Sequence, residues 1–88
     1  MNPYSVLKVE VMKKKMRGLK VGMSLEQCRD TLGLDPNRDL IGDAQEFPDR
    51  LLLSLYPAEG HVIVILLDTS KNPAALLSVR VDEEVWRS

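Results

Sequence analysis

The stretch Leu19–Gly33 (LKVGMSLEQCRDTLG) limits what this chain can fold into more than any other, because it carries both ends of a short helix. Ser24 is a good N-cap: its hydroxyl can take a backbone N–H that the first turn leaves without a partner. Gln27, three residues on, completes a capping box. Leu25, Cys28 and Leu32 recur at helical spacing and give one apolar face. Gly33 stands where a helix ends in a left-handed residue, and Gly22 permits a sharp entry ahead of the cap.

Upstream, residues 2–18 admit two readings. Asn2-Pro3 suits an N-cap and first helical position. Tyr4, Leu7 and Val11 share one helical face, and Val9, Met12 and Met16 a neighbouring one. Leu7, Val9 and Val11 also alternate with Lys8 and Glu10, as a half-buried strand would, and valine favours strand weakly. The length and the Met-Lys-Lys-Lys-Met-Arg continuation tip the balance to a helix closed by Gly18.

Downstream, residues 34–49 (LDPNRDLIGDAQEFPD) read as a loop with two prolines, a glycine and five acids, pinned to the core by Leu40, Ile41 and Phe47. A loop this long in a small domain points to function or mobility. Three strands follow. Arg50–Tyr56 ends at the turn Pro57-Ala58-Glu59-Gly60, His61–Asp68 is almost wholly apolar, and Ala75–Asp82 lies beyond a turn ending in Asn72-Pro73. Their short connections predict an antiparallel meander. Glu83–Ser88, carrying Trp86, reads as a short helix or further strand. The fold class is therefore α+β: two N-terminal helices on one face of a three-stranded antiparallel meander, in the order α-α-β-β-β. The 88 residues make one domain.

The middle strand is apolar on both sides. If Val62, Val64 and Leu66 face the helices along with Leu51, Leu53 and Leu55, then Ile63, Ile65 and Leu67 face outward with Leu52, Tyr56 and Leu76. A sheet with one wet side alternates more cleanly than this. The far face is then a partner site or dimer interface, unless Trp86, Phe47 or the long loop folds over it.

Charge is nearly balanced overall but unevenly placed. Residues 1–34 carry seven basic side chains against three acidic, and residues 35–88 five against ten. Such a chain neutralises itself in the fold or shows an acidic face to a basic partner. A single cysteine excludes an internal disulfide, and no apolar run is long enough to span a membrane. Pro3, Glu10 and three consecutive lysines interrupt any secretory apolar region, so the expected location is cytoplasmic, or periplasmic if a leader has been removed.

Leu19-Lys20-Val21-Gly22-Met23-Ser24, with Leu32-Gly33 downstream, resembles the L-x-x-G-M-[ST]-x-x-x-V-x-x-x-L-G signature of the BamE/SmpA-OmlA lipoproteins, an architecture shared with the two-repeat β-lactamase inhibitor protein. Cys28 stands where that family has an aliphatic residue. Tyr56 and the Val62–Asp68 strand fall where the family has an aromatic-bearing first strand and an apolar second one. The resemblance covers roughly residues 15–82 and implies a two-helix layer on an antiparallel sheet. By analogy of fold it points to protein binders, including inhibitors and toxin-neutralising immunity proteins.

No catalytic set emerges. His61 reads as a turn-edge residue, and Cys28 lies on an apolar helix face where a low-pKa thiolate is not expected. Asp35, Asn37, Asp39 and Glu46 match four positions of a calcium loop, but Leu40 occupies the place that needs glycine. A solvated acidic loop is the simpler reading, with no metal or cofactor. The Lys13-Lys14-Lys15-x-Arg17 run lacks the interleaved aromatics of a single-strand binder, so a solvated helix face is preferred to nucleic-acid contact. The expectation is a non-enzymatic protein-binding module. Its contacts would be Asp35, Asp39, Asp43, Glu46 and Asp49 on the loop and Tyr56, Ile63 and Ile65 on the outer sheet face. Its partner would be another protein, a basic toxin domain being one such class. The alternative is a homodimeric structural or envelope-assembly module.

Overall fold

The N-terminal segment is a helix, α1, over Pro3–Lys15, continued by a 3-10 turn at Met16–Gly18. The structure is a computed structural model that describes the backbone of residues 3–35 and 41–87, and the side chains of residues 7–35 and 42–87. Of the two apolar stripes on α1, Val9, Met12 and Met16 are buried, while Leu7 is 65% exposed and Val11 46%. The second helix, α2, spans Leu25–Leu32. Both sides of its capping box form: Gln27 N–H donates to Ser24 Oγ at 3.2 Å and Ser24 N–H to Gln27 Oε1 at 2.9 Å. Gly33 takes φ 74°, and Leu34 N–H closes on Arg29 C=O at 2.9 Å, so the helix ends as its glycine requires.

The sheet has five strands in the order β1-β2-β3-β4-β5, all antiparallel. They are β1 Ile41–Phe47, β2 Arg50–Leu55, β3 Ile63–Asp68, β4 Ala75–Val81 and β5 Glu84–Arg87. The three expected strands are thus β2, β3 and β4, and the sheet gains one strand on each side. The C-terminal segment is strand rather than helix. The expected loop is, over residues 41–47, an edge strand joined to β2 by the two-residue turn Pro48-Asp49. Asp49 takes φ 60° there, and proline followed by a positive-φ residue is the order of a type II turn. No apolar alternation marks β1, because no described side chain of it is enclosed: residues 42–47 are all exposed.

The face assignment of β3 is corrected. Ile63, Ile65 and Leu67 point to the helices and are sealed from solvent. The reason is register. Residues opposite one another across an antiparallel pair share a face, and Leu55, Leu53 and Leu51 stand opposite Ile63, Ile65 and Leu67. Grouping the β2 leucines with Val62, Val64 and Leu66 slips the pairing by one residue and turns every side chain of β3 over. Leu76 was expected outside with them. A bulge between Leu66 and Leu67 instead puts Leu76 opposite Leu67 on the covered face, leaving Leu77 outside.

The core is thus Val9, Met12, Met16, Leu19, Cys28, Leu32 and Leu34 from the helical layer, set against the inner residues of β2, β3 and β4. The α1–α2 linker is stitched to the sheet directly. Gly22 N–H donates to Leu76 C=O at 3.2 Å, and Leu76 N–H to Met23 C=O at 2.8 Å. These bonds take up β4 backbone groups beyond the last β5 partner, where Ser78 pairs with Arg87. Trp86 pairs with Val79 and packs half-buried on the same core, so it does not cover the opposite face.

Candidate binding surface

The opposite face of the sheet carries nothing over it among the described residues. Its side chains fall into rows set by the register. The first row is Asp43, Ser54, Val64, Arg80 and Val85. The second is Gln45, Leu52, Leu66, Ser78 and Arg87, and the third Phe47, Arg50, Asp68 and Ala75. Leu52, Val64, Leu66, Leu77 and Val85 line a shallow depression of about 750 Å³ with Arg80 and Arg87 at its rim. Val85 is 49% exposed; the four central apolar residues are half-buried by one another. Shielding of that kind makes a sheet face tolerable in water without removing the gain from covering it.

Its charges are of two kinds. In the third row Arg50 Nη1 lies 3.4 Å from Asp68 Oδ1. Asp68 also receives the N–H and hydroxyl of Ser70 at 2.9 and 2.6 Å. The two Ser70 bonds, and then the charges of Arg50 and Lys71, hold its carboxyl below the usual range against the opposing effect of burial. By contrast Asp43, Arg80 and Arg87 have no ion-pair partner among the described residues.

The expected contact residues do not form one surface. Asp43 pairs with Ser54 and Glu46 with Leu51, so they point to opposite faces of β1. Asp49 lies in the β1–β2 turn, where its carbonyl receives Thr69 N–H and the Arg50 guanidinium. Asp35 is half-buried just past α2, and Asp39 lies outside the described residues. Tyr56 is 62% exposed with its ring laid on Gly42, where an added Cβ would come within 2.5 Å of it. Ile63 and Ile65, expected on the outer face, are fully enclosed in the core and out of reach of any partner. The residues that take their place are Val64 and Leu66, one position along. Counting back from a four-residue turn at residues 57–60 pairs Tyr56 with His61 and gives the slipped register, whereas the ladder begins only at Leu55 and Ile63.

Elsewhere, a polar cluster ties α1 to the sheet rim. Asp82, at φ 53° in the β4–β5 turn, meets His61 Nδ1 at 2.7 Å, accepts Val62 N–H at 3.1 Å and lies 3.8 Å from Lys13 Nζ. Burial pushes the Asp82 carboxyl up. The bonds from His61 and Val62, with the charges of His61 and Lys13, outweigh it and hold the carboxyl below its usual range. Lys13 also bonds Glu10 at 3.2 Å, and that bond first, then nearby carboxylates, raise its pKa. Within the lysine run, Lys13 is therefore tied to the sheet rim and to Glu10. Burial pushes the Cys28 thiol up to about 11, only partly offset by Arg29, so it is a thiol at neutral pH. Of the calcium-loop residues, Asn37 and Asp39 lie outside the described residues and Glu46 is in β1. Among the described residues no group of three His, Cys, Asp or Glu converges on a point. No described helix is long and apolar enough to cross a membrane. Compared with known proteins, the chain matches no family model, no curated protein and no solved structure.

Proposed function

We propose that this chain is a non-enzymatic protein-binding module whose binding surface is the outer face of its sheet. One observation carries the reading: the helices cover one face only, and the other presents Leu52, Val64, Leu66 and Leu77 together with Val85 and two arginines. Apolar side chains in the middle with charged ones at the rim are the usual make-up of a protein interface. The enclosed, protonated Cys28 gives no support to nucleophilic chemistry. The test is capture from a lysate of the native host on immobilised protein. Wild type retains a partner, Leu66→Lys on the outer face loses it, and Leu7→Lys on the exposed stripe of α1 keeps it. Loss with Leu7→Lys and retention with Leu66→Lys would move the surface to the helices.

A second reading, an inhibitor or immunity protein that neutralises a basic toxin domain, draws on the β1–β2 hairpin. Asp43, Glu46 and Asp49 stand exposed there beside Phe47. In that case Glu46→Lys and Asp49→Lys slow association in a salt-dependent way and Leu66→Lys has no effect. The likeness of Leu19–Gly33 to the BamE signature fits an envelope-assembly role equally well.

A further inference from the structure

Resting on the reading of the outer face as a binding surface, we propose that its occupant is a second copy of this chain, related by a two-fold axis that runs along the strands between β2 and β3. An isologous dimer requires a surface that complements itself. For charge, this means a pattern that changes sign across the axis. The outer face has that property twice, about the same line. In the first row Asp43 on β1 is balanced by Arg80 on β4. In the third, Arg50 on β2 is balanced by Asp68 on β3.

Rotation about that line lays β1 of one copy over β4 of the other, and β2 over β3. Asp43 then meets the Arg80 of the second copy, and each Arg50–Asp68 pair stacks on its mate with signs reversed. The apolar centre closes in the same operation, because Leu52 falls on Leu66. Phe47, 47% exposed, falls on the small Ala75. An axis across the strands would instead set the first row on the third and leave Arg80 facing Ala75. Arg50 and Asp68 already pair within the chain, so the sign change that calls for a second copy is that of Asp43 and Arg80. The lack of any partner for Asp43 and Arg80 among the described residues fits a pair completed between copies. Sheets packed face to face at about 10 Å leave room for such pairs. Four strands by three rows bury roughly 1,000 Å² in all, at the lower end for a specific interface.

Sedimentation equilibrium over a concentration series tests this with wild type, Asp43→Arg, Arg80→Asp, the double reversal and Leu66→Lys, each first checked for a native circular dichroism spectrum. The expected result is a monomer–dimer equilibrium that each single reversal weakens about tenfold or more and the double reversal restores to near wild type. Leu66→Lys abolishes it. A wild type that stays monomeric to about 500 µM overturns the second copy as occupant, while the binding-face reading still stands or falls on the Leu66→Lys capture result. A dimer indifferent to all four variants likewise overturns the second copy as occupant of this face, since association then uses another surface.

Discussion

Ile65 and Leu66 are neighbours in the same strand, similar in volume and hydropathy, and they sit in different worlds. Ile65 lies between Leu53 and Val79 under the helices with no exposure. Leu66 lies between Leu52 and Ser78 on a face with no layer over it. The covered face is filled with aliphatic side chains in every central row. The uncovered one dilutes its apolar residues with Ser54, Ser78, Arg80 and Arg87. What separates the core from the uncovered face here is the composition of the flanking strands, since β3 itself is apolar on both sides. The sharpest way to break that contrast is truncation. Ile65→Ala leaves a cavity in a sealed layer and is expected to cost about 2–5 kcal/mol in urea unfolding. Equal costs at Ile65 and Leu66 would mean that both faces are packed.

Much of the helical layer was legible. Ser24, Gln27 and Gly33 act through local hydrogen bonds and backbone conformation, and local rules read local physics. The sheet was harder, for two physical reasons. Side-chain period in a strand is two, so an apolar run such as Val62–Leu67 announces a strand without saying which side is in; cross-strand register decides that. A bulge at Leu66/Leu67 then puts Leu76, rather than Leu77, on the same side as Val79 and Val81. The edge strand β1 was illegible by pattern because it buries neither face. Acids on an edge are what keep it from pairing with stray strands. Its one readable sign was Phe47-Pro48-Asp49-Arg50, a turn sequence of hairpin length. Leu52 was expected on the outer face and lies there, but the β3 residues beside it were displaced by one.

The second effect in size tests whether the cover over the inner face depends on the α2 cap. Ser24→Ala removes the acceptor for Gln27 N–H and is expected to cost about 1 kcal/mol. The same loss should loosen the seal over Cys28, on the same short helix. Thiol labelling at neutral pH, negligible in the wild type because the thiol is enclosed and protonated, should become measurably faster. Unchanged labelling with the expected loss of stability would mean that α2 stays docked without its cap, held by Leu32 and the stitched linker alone.

On the uncovered face, Leu66→Ala is expected to cost less than about 1 kcal/mol in dilute solution, since little of what it removes is enclosed. The two faces should separate further with protein concentration. If the outer face is occupied in a dimer, wild-type melting rises with concentration by mass action, and Leu66→Ala loses that rise. Ile65→Ala keeps the rise, displaced downward as a whole. A concentration dependence that survives in Leu66→Ala would detach self-association from this face.

The smallest effect at neutral pH concerns the rim where the helical layer meets the sheet end. Asp82 faces His61, the Val62 N–H and Lys13, with Glu10 and Glu84 as the carboxylates nearest to Lys13. Its folded pKa lies below the ordinary carboxylate value of 3.8. The unfolded chain therefore binds the Asp82 proton first as pH falls. The stabilisation is complete above the ordinary value and disappears as pH drops through the depressed one. Asp82→Asn keeps an acceptor for Val62 N–H and tolerates the positive φ, but it cannot titrate. Its urea midpoint should lie slightly below wild type at pH 7, where the charged Asp82 contributes in full, and fall less steeply below about pH 4 so that the two converge. A parallel acid limb in the two proteins would assign the acid sensitivity to Asp68, whose carboxyl is held low at the other end of the sheet. It would leave the covered face sealed by packing alone, with no electrostatic clasp at its rim.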